Sequence, residues 1–462
     1  MPVSLPLSQT AFADAPRKGL GRAFLQLSRH GIAGLEETLL DACKTSWVYD
    51  AQCEGTRGAW LWELASVAGL QAPVRAIVAE ALESDEPSAD CWTELQLGEI
   101  AGELFRAGDQ ALRRLYYRAA ARSRQARTVE RADGTVESAI VGPGLELAPI
   151  FEIDGLPGFL ELVRALGDHA GPWSTEIAEE ARESFGEAAV GQTLREAALG
   201  DPRVRAFVRH LDDDPPLIRQ DGTIDRRAGR PSSRDDRTAA QLLDAIRTAA
   251  PSIELAAGYW PNAGALGWGL HAAEPERRAL AEALWIETDP RVVNAVLCAF
   301  QRRGLPDFDA RLLALSRSGE PHVRDRAHRV LIHHPCGAAR ALALEDHLAG
   351  RADERTVDLV AANWRAGDET IVQSIAESFR GRAPDELHGV VFSMATLLRT
   401  AGERATAFRD LALFVWDESP CSNCRVRAAE LLATMGDVPK WLAREAAHDA
   451  RAEIRAAFAR EP

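Results

Sequence analysis

A chain of 462 residues exceeds what one hydrophobic core accommodates, and it predicts two or three structural units or an elongated repeat array. Its 46% hydrophobic and 27% charged content is that of a folded globular protein, and its abundance of Ala, Arg, Leu and Glu favours helix over sheet. The formal charge of −15 sets a field that repels nucleic acid and acidic membranes at long range, while leaving room for a local basic groove. Seven cysteines, odd in number and irregularly spaced, exclude a secreted disulfide framework and predict reduced thiols in a cytoplasmic protein.

The N-terminal "MPVSLPLSQTAFADAPRKG" contains the small-residue pattern "AFADA" but has no basic segment before it, and its apolar stretch is interrupted. The expectation is a flexible tail over residues 1–14, followed by an N-terminal helical repeat region over 15–211. No run approaches the roughly 18 apolar residues a membrane span needs, so no membrane partner is expected.

The stretch "SWVYDAQCEGTRGAWLWEL" gathers Tyr49, Asp50, Cys53, Glu54 and Arg57 before Trp60 and Trp62. Carboxylates beside Cys and Arg are the residue types of acid–base or nucleophilic catalysis. With no neighbouring His to act as base, the expectation is structural. Asp50 and Glu54 cap a helix, Arg57 pairs with one of them, and the tryptophans pack.

Two antiparallel helix pairs follow, "GTRGAWLWELASVAG" with "APVRAIVAEALES" and "CWTELQLGEIAGELFRAG" with "DQALRRLYYRAAARSRQ". Between Arg113 and Arg131 stand seven arginines and one acid. Arg114, Arg118 and Arg122 recur at i, i+4 and i+8 and form one ridge of a helix. With Tyr116 and Tyr117 to stack on bases, this ridge is the candidate nucleic-acid surface. The alternative is a solvated face whose arginines pair with acids on adjacent helices. Residues 128–157 carry an Asp-Gly turn between short alternating segments, the pattern of a small hairpin or an ordered loop inserted into the helical series. Residues 212–237, rich in Pro, Gly and charge, predict a linker or loop ahead of a C-terminal region at 238–462.

From there a phrase recurs: an acidic or Pro-containing turn, a Val-Arg or its equivalent, then an Ala/Leu stripe. Aligning the apolar residue after each turn gives Val292, Val323, Val357, Leu387, Val426 and Ile454, at intervals of 31, 34, 30, 39 and 28. In "GEPHVRDRAHRVLIHH", Val323, Ala327, Val330 and Leu331 share one helix face. A single such helix cannot bury its stripe, but a stacked pair can. The turn acid, the Val-Arg and the period of about 30 residues resemble HEAT repeats. The resemblance runs from about Asp289 to the end and implies an all-α, HEAT-like α-solenoid of stacked antiparallel helix pairs. It also implies a non-enzymatic interaction scaffold with a protein partner in its groove.

"HVRDRAHRVLIHHPC" offers four histidines and a cysteine, but His322 and His328 fall on different sides of a helix, and His333 and His334 suit its negative end. In "SPCSNCRVRAAELLATMG", Cys421 and Cys424 occupy the start of a repeat helix. With Ser419 as N-cap and Pro420 as first residue, the helix dipole would favour thiolate, the form that binds metal or enters redox chemistry. A lone Cys-x-x-Cys lacks the other half of a zinc site, and His448 in the next repeat is the nearest donor of the right type. The competing expectation is packing, because Cys421, Cys424, Ala428, Leu431 and Leu432 form one apolar stripe. No P-loop, dinucleotide-binding, nucleophile-elbow or zinc-protease motif is present in the sequence. The leading expectation is therefore a scaffold, with a nucleic-acid-binding solenoid and a metal or redox sensor as alternatives.

Overall fold

The computed structural model describes residues 4–84, 90–122, 126–130, 136–140, 145–167, 173–213, 236–252, 264–400, 406–435 and 438–459. The described residues are helical almost throughout. The exception is an antiparallel hairpin, Ala126–Glu130 paired with Val136–Ile140, with Thr128 opposite Ser138. It occupies the front of the 128–157 segment. Within the same segment, residues 148–157 belong to the helix Ala148–Leu166, kinked where Gly155 takes φ 59° just before Pro157. Nearly all of the 212–237 segment lies outside the described residues. No helix is long and apolar enough to cross a membrane, among the described residues.

The flexible tail expected over 1–14 is corrected at residues 9–14. Gln9–Lys18 is a helix, with Ser8 as its N-cap and Gly19 closing it. Phe12 and Ala15 are fully buried. The helix packs on Arg22–His30 and Glu36–Lys44, close by in sequence, and a distant segment adds one bond just past its end. The Gly19 carbonyl accepts the Ala450 N–H at 2.9 Å.

Contacts group the chain into two units. One comprises Met1–Arg226, Cys421–Asn423 and Val438–Pro462, and the other Arg227–Pro420 and Cys424–Asp437. The last helices thus join the N-terminal ones. Arg22 pairs with Glu445 at 2.8 Å, both buried. Trp60 Nε1 donates to the His448 carbonyl at 2.9 Å. Phe24 stacks on the His448 ring at 4.0 Å.

In the second unit, helices alternate between two files. Ala265–His271, Pro290–Phe300, Pro321–Leu331, Glu354–Ala362 and Pro384–Arg399 pack each on the next. In the other file Ala239–Ala249 packs on Glu274–Leu284, Arg311–Leu315 on Gly337–Leu348, and Asp368–Ser378 on Arg409–Glu418. The six aligned anchors, Val292, Val323, Val357, Leu387, Val426 and Ile454, are all buried. Each lies in the first turns of its helix.

A local device starts several of these helices. Asp289 accepts the backbone N–H of Arg291 at 2.9 Å, and the Arg291 guanidinium returns to the same carboxylate at 2.7 Å. Asp309 and Arg311 repeat this at 2.8 and 2.6 Å, and Asp353 with Arg355 does likewise, its backbone bond being 3.0 Å. The paired guanidinium holds the Asp289 and Asp309 carboxyls below their usual range. The Asp-x-Arg staple satisfies an orphan helix donor and sets the negative charge at the positive end of the dipole.

His328 illustrates how the histidine-rich stretch is used. It is buried, and Nε2 lies 3.1 Å from the Ser316 carbonyl, so Nε2 carries the hydrogen, while Nδ1 has no partner. Protonating Nδ1 would place an unsatisfied donor and a charge in the core. Burial accordingly pushes its pKa below 6.5. The unfolded chain takes up a proton that the folded one refuses, so stability is full above about pH 6.5 and falls as the pH drops toward the folded pKa. Chemical denaturation should give a midpoint that declines from about pH 7 to about pH 5, with a shallower decline in His328→Gln. A midpoint flat over that range would contradict the assignment. His333 Nε2 contacts the Gln301 carbonyl at 2.9 Å, and His334 Nε2 accepts the Leu305 N–H at 2.9 Å.

Candidate metal centre

The helix that carries the Cys-x-x-Cys begins at Ser422, not at Pro420. Ser419 instead ends the preceding helix, Arg409–Glu418, as its C-cap. Cys421 therefore stands immediately before the helix and Cys424 in its first turn, both buried at 3% and 4% exposure. A helix start is the place where backbone N–H groups and the dipole favour an anionic sulfur.

The side chain that meets this pair is His388, half-buried on the helix Pro384–Arg399. Its Nε2 lies 3.9 Å from Cys424 Sγ. The ligand atoms of His388, Cys421 and Cys424 all fall within 4.8 Å of one another at this helix start. In a tetrahedral zinc site, bonds of about 2.3 Å to sulfur and about 2.0–2.1 Å to nitrogen separate two sulfurs by about 3.8 Å and sulfur from nitrogen by about 3.6 Å. The cluster reaches those separations with side-chain adjustments of an ångström or less. Two thiolates would balance a divalent charge, and thiolate with imidazole is the donor set that suits zinc. Three protein ligands leave a fourth position for solvent or another donor.

His448, the expected third donor, lies elsewhere. Its ring stacks on Phe24. Burial chiefly, with the Arg29 charge adding to it and Glu63 opposing, holds its pKa below the usual value. Cys336 caps the helix Gly337–Leu348, its Sγ accepting the Ala339 N–H at 3.4 Å.

Around Glu54 the expected Asp50 cap and Arg57 pair are present, while Glu54 itself ends the short helix and Trp62 is half-buried. Asp50 caps the short helix Ala51–Glu54 through the Cys53 N–H. Arg57 pairs with Glu54 at 2.9 Å, with their side chains 5% and 1% exposed. Glu54 also accepts the Ser422 N–H at 2.7 Å, and the Asn423 side chain donates to the Cys53 carbonyl at 3.1 Å.

On the arginine-rich helix Gln110–Arg122, Arg114 and Arg118 are exposed. Arg122 donates to the carbonyls of Leu82 and Ser84. Arg113 holds Asp154 at 2.9 Å, and Asp154 also accepts from the Tyr117 hydroxyl at 2.7 Å. Tyr116 and Tyr117 are buried against Phe105.

No protein-family model matches this chain, and no curated protein matches it. A crystal structure of an engineered protein aligns over 97% of both chains at 12% identity with a TM-score of 0.23, too slight a likeness to inform fold or function.

Proposed function

We propose that the protein is a non-catalytic helical-repeat binding protein that holds a zinc ion through Cys421, Cys424 and His388. The convergence of two buried sulfurs and one imidazole nitrogen within 4.8 Å carries this reading. The ion would tie the start of the Ser422 helix to the Pro384–Arg399 helix, with a fourth position left for solvent or another donor. The notion of a metal-responsive protein follows, since gain or loss of the ion changes the restraint on that helix start. The alternating files of the second unit support a HEAT-like stacking of helix pairs, and with it a protein partner on the exposed helix faces.

The test is metal titration of the full chain, read by the charge-transfer and d–d bands of cobalt and by zinc competition with a chelating indicator. One ion per chain is expected. Cys421→Ser, Cys424→Ser and His388→Gln should each weaken it by about 100-fold or more. His448→Gln should leave it unchanged. Equal binding by all four variants, or none by the native chain, would overturn the reading.

A further inference from the structure

A second site lies within the first unit, where the helix Arg22–His30 meets Lys440–Ala446. A concavity of about 320 Å³ elsewhere on this unit is lined by helix-capping groups such as Asp50 and Asp90, already engaged with their own helices. The one at Arg22–His30 is different. Its volume is about 240 Å³, with Leu5, Leu25 and Trp441 as an apolar lining and Arg22, Arg29, Arg444 and Glu445 at its polar side.

The three arginines are not equivalent. Arg22 is buried and neutralised by Glu445 at 2.8 Å. Arg29 and Arg444 are exposed at the same concavity, and among the described residues neither has a carboxylate within ion-pair distance. Arg444 spends only its Nε, on the Lys440 carbonyl at 3.0 Å, which leaves both terminal nitrogens to donate. Elsewhere in this unit arginines find acids readily: Arg57 with Glu54, Arg106 with Glu103 and Glu152, Arg113 with Asp154, Arg164 with Asp201. In a chain with net charge −15, three arginines against the one carboxylate of Glu445, which is paired with Arg22, make a local reversal of the overall field.

We infer that this concavity binds a small carboxylate with an aromatic or branched apolar body, its carboxylate gripped by Arg29 and Arg444 and its body set against Trp441, Leu25 and Leu5. Guanidinium groups bind carboxylates through paired N–H donors, and apolar contact supplies the rest of the affinity. The volume suits a ligand of benzoate size rather than a nucleotide or a peptide. The Arg22–Glu445 pair also lines the concavity, and its charges cancel, so it anchors Arg22 without repelling the incoming anion.

Calorimetric titration of the full chain with sodium benzoate tests this, with acetate and inorganic phosphate as contrasts. Benzoate should bind at one site per chain, at least about tenfold more tightly than acetate or phosphate. Arg29→Gln and Arg444→Gln should each weaken it about tenfold or more, and Trp441→Ala should erase its advantage over acetate. Circular dichroism melting confirms that the variants fold. Acetate binding as tightly as benzoate would remove the apolar part of the inference. Phosphate binding more tightly than benzoate would make this an inorganic-anion site instead. Undiminished benzoate binding by both arginine variants, or no binding by the native chain, would overturn it altogether.

Discussion

Glu54→Ala is expected to destabilise the protein by about 3–5 kcal/mol, read as a shift in the chemical-denaturation midpoint of the full chain. The carboxylate is almost wholly buried and serves three donors at once: Arg57 at 2.9 Å, the Ser422 N–H at 2.7 Å and the Asp50 N–H at 3.1 Å. Truncation takes the Glu54 carboxylate away from a guanidinium whose side chain is 5% exposed. Its other partners include the carbonyls of Pro16 and Arg17. Truncation also orphans a backbone donor beside Cys421. Glu54→Gln keeps acceptor capacity but not charge, and should cost less. A change under about 1 kcal/mol in the alanine variant would contradict the account of this pair.

Gly269→Ala is expected to cost about 3 kcal/mol or more, although alanine is the better helix former. A Cβ there would stand 1.7 Å from the Ala299 carbonyl oxygen and 2.6 Å from its carbon, both of them backbone atoms that cannot step aside. The helices Ala265–His271 and Pro290–Phe300 meet backbone to backbone at this point, so accommodation requires them to separate. Gly267, two residues away on the same helix, has nothing within 4 Å of its Cβ position. Gly267→Ala should therefore stabilise by about 0.5–1 kcal/mol. Thermal melting of the two variants should move in opposite directions. Equal shifts would show that propensity, not contact, governs this helix.

The apolar stripes and turn acids carried the helices, because helix periodicity and capping are local properties. All six anchor residues proved to be core for that reason. What the sequence concealed were pairings set by tertiary approach. His388 stands in "APDELHGVVFSM", directly after the anchor Leu387, and nothing local distinguishes it from a surface histidine. Its one signal is register. Leu387 and Val426 are successive anchors 39 residues apart, so a donor beside one can meet a donor near the other if the helices stack. His448 looked equivalent on ligand type alone, but the terminal helices turn to the N-terminal unit, where Phe24 and Trp60 hold it. The tail failed as an expectation because residues 9–18 pack on Arg22–His30 and Glu36–Lys44 and bury Phe12 and Ala15, and the bond from Ala450 to Gly19 adds a tie more than 400 residues away. The Asp-x-Arg staples were half legible. The aspartate was read as a helix-start charge, while the arginine two residues on, which closes the pair, was hidden beside the more conspicuous Val-Arg.

The central claim is the composition of the metal site, and X-ray absorption at the zinc edge of the zinc-loaded full chain tests it most directly. The account predicts two sulfurs at about 2.3 Å and one imidazole nitrogen at about 2.0–2.1 Å, with a fourth light-atom donor. A shell of nitrogen and oxygen alone, with no sulfur, would contradict it.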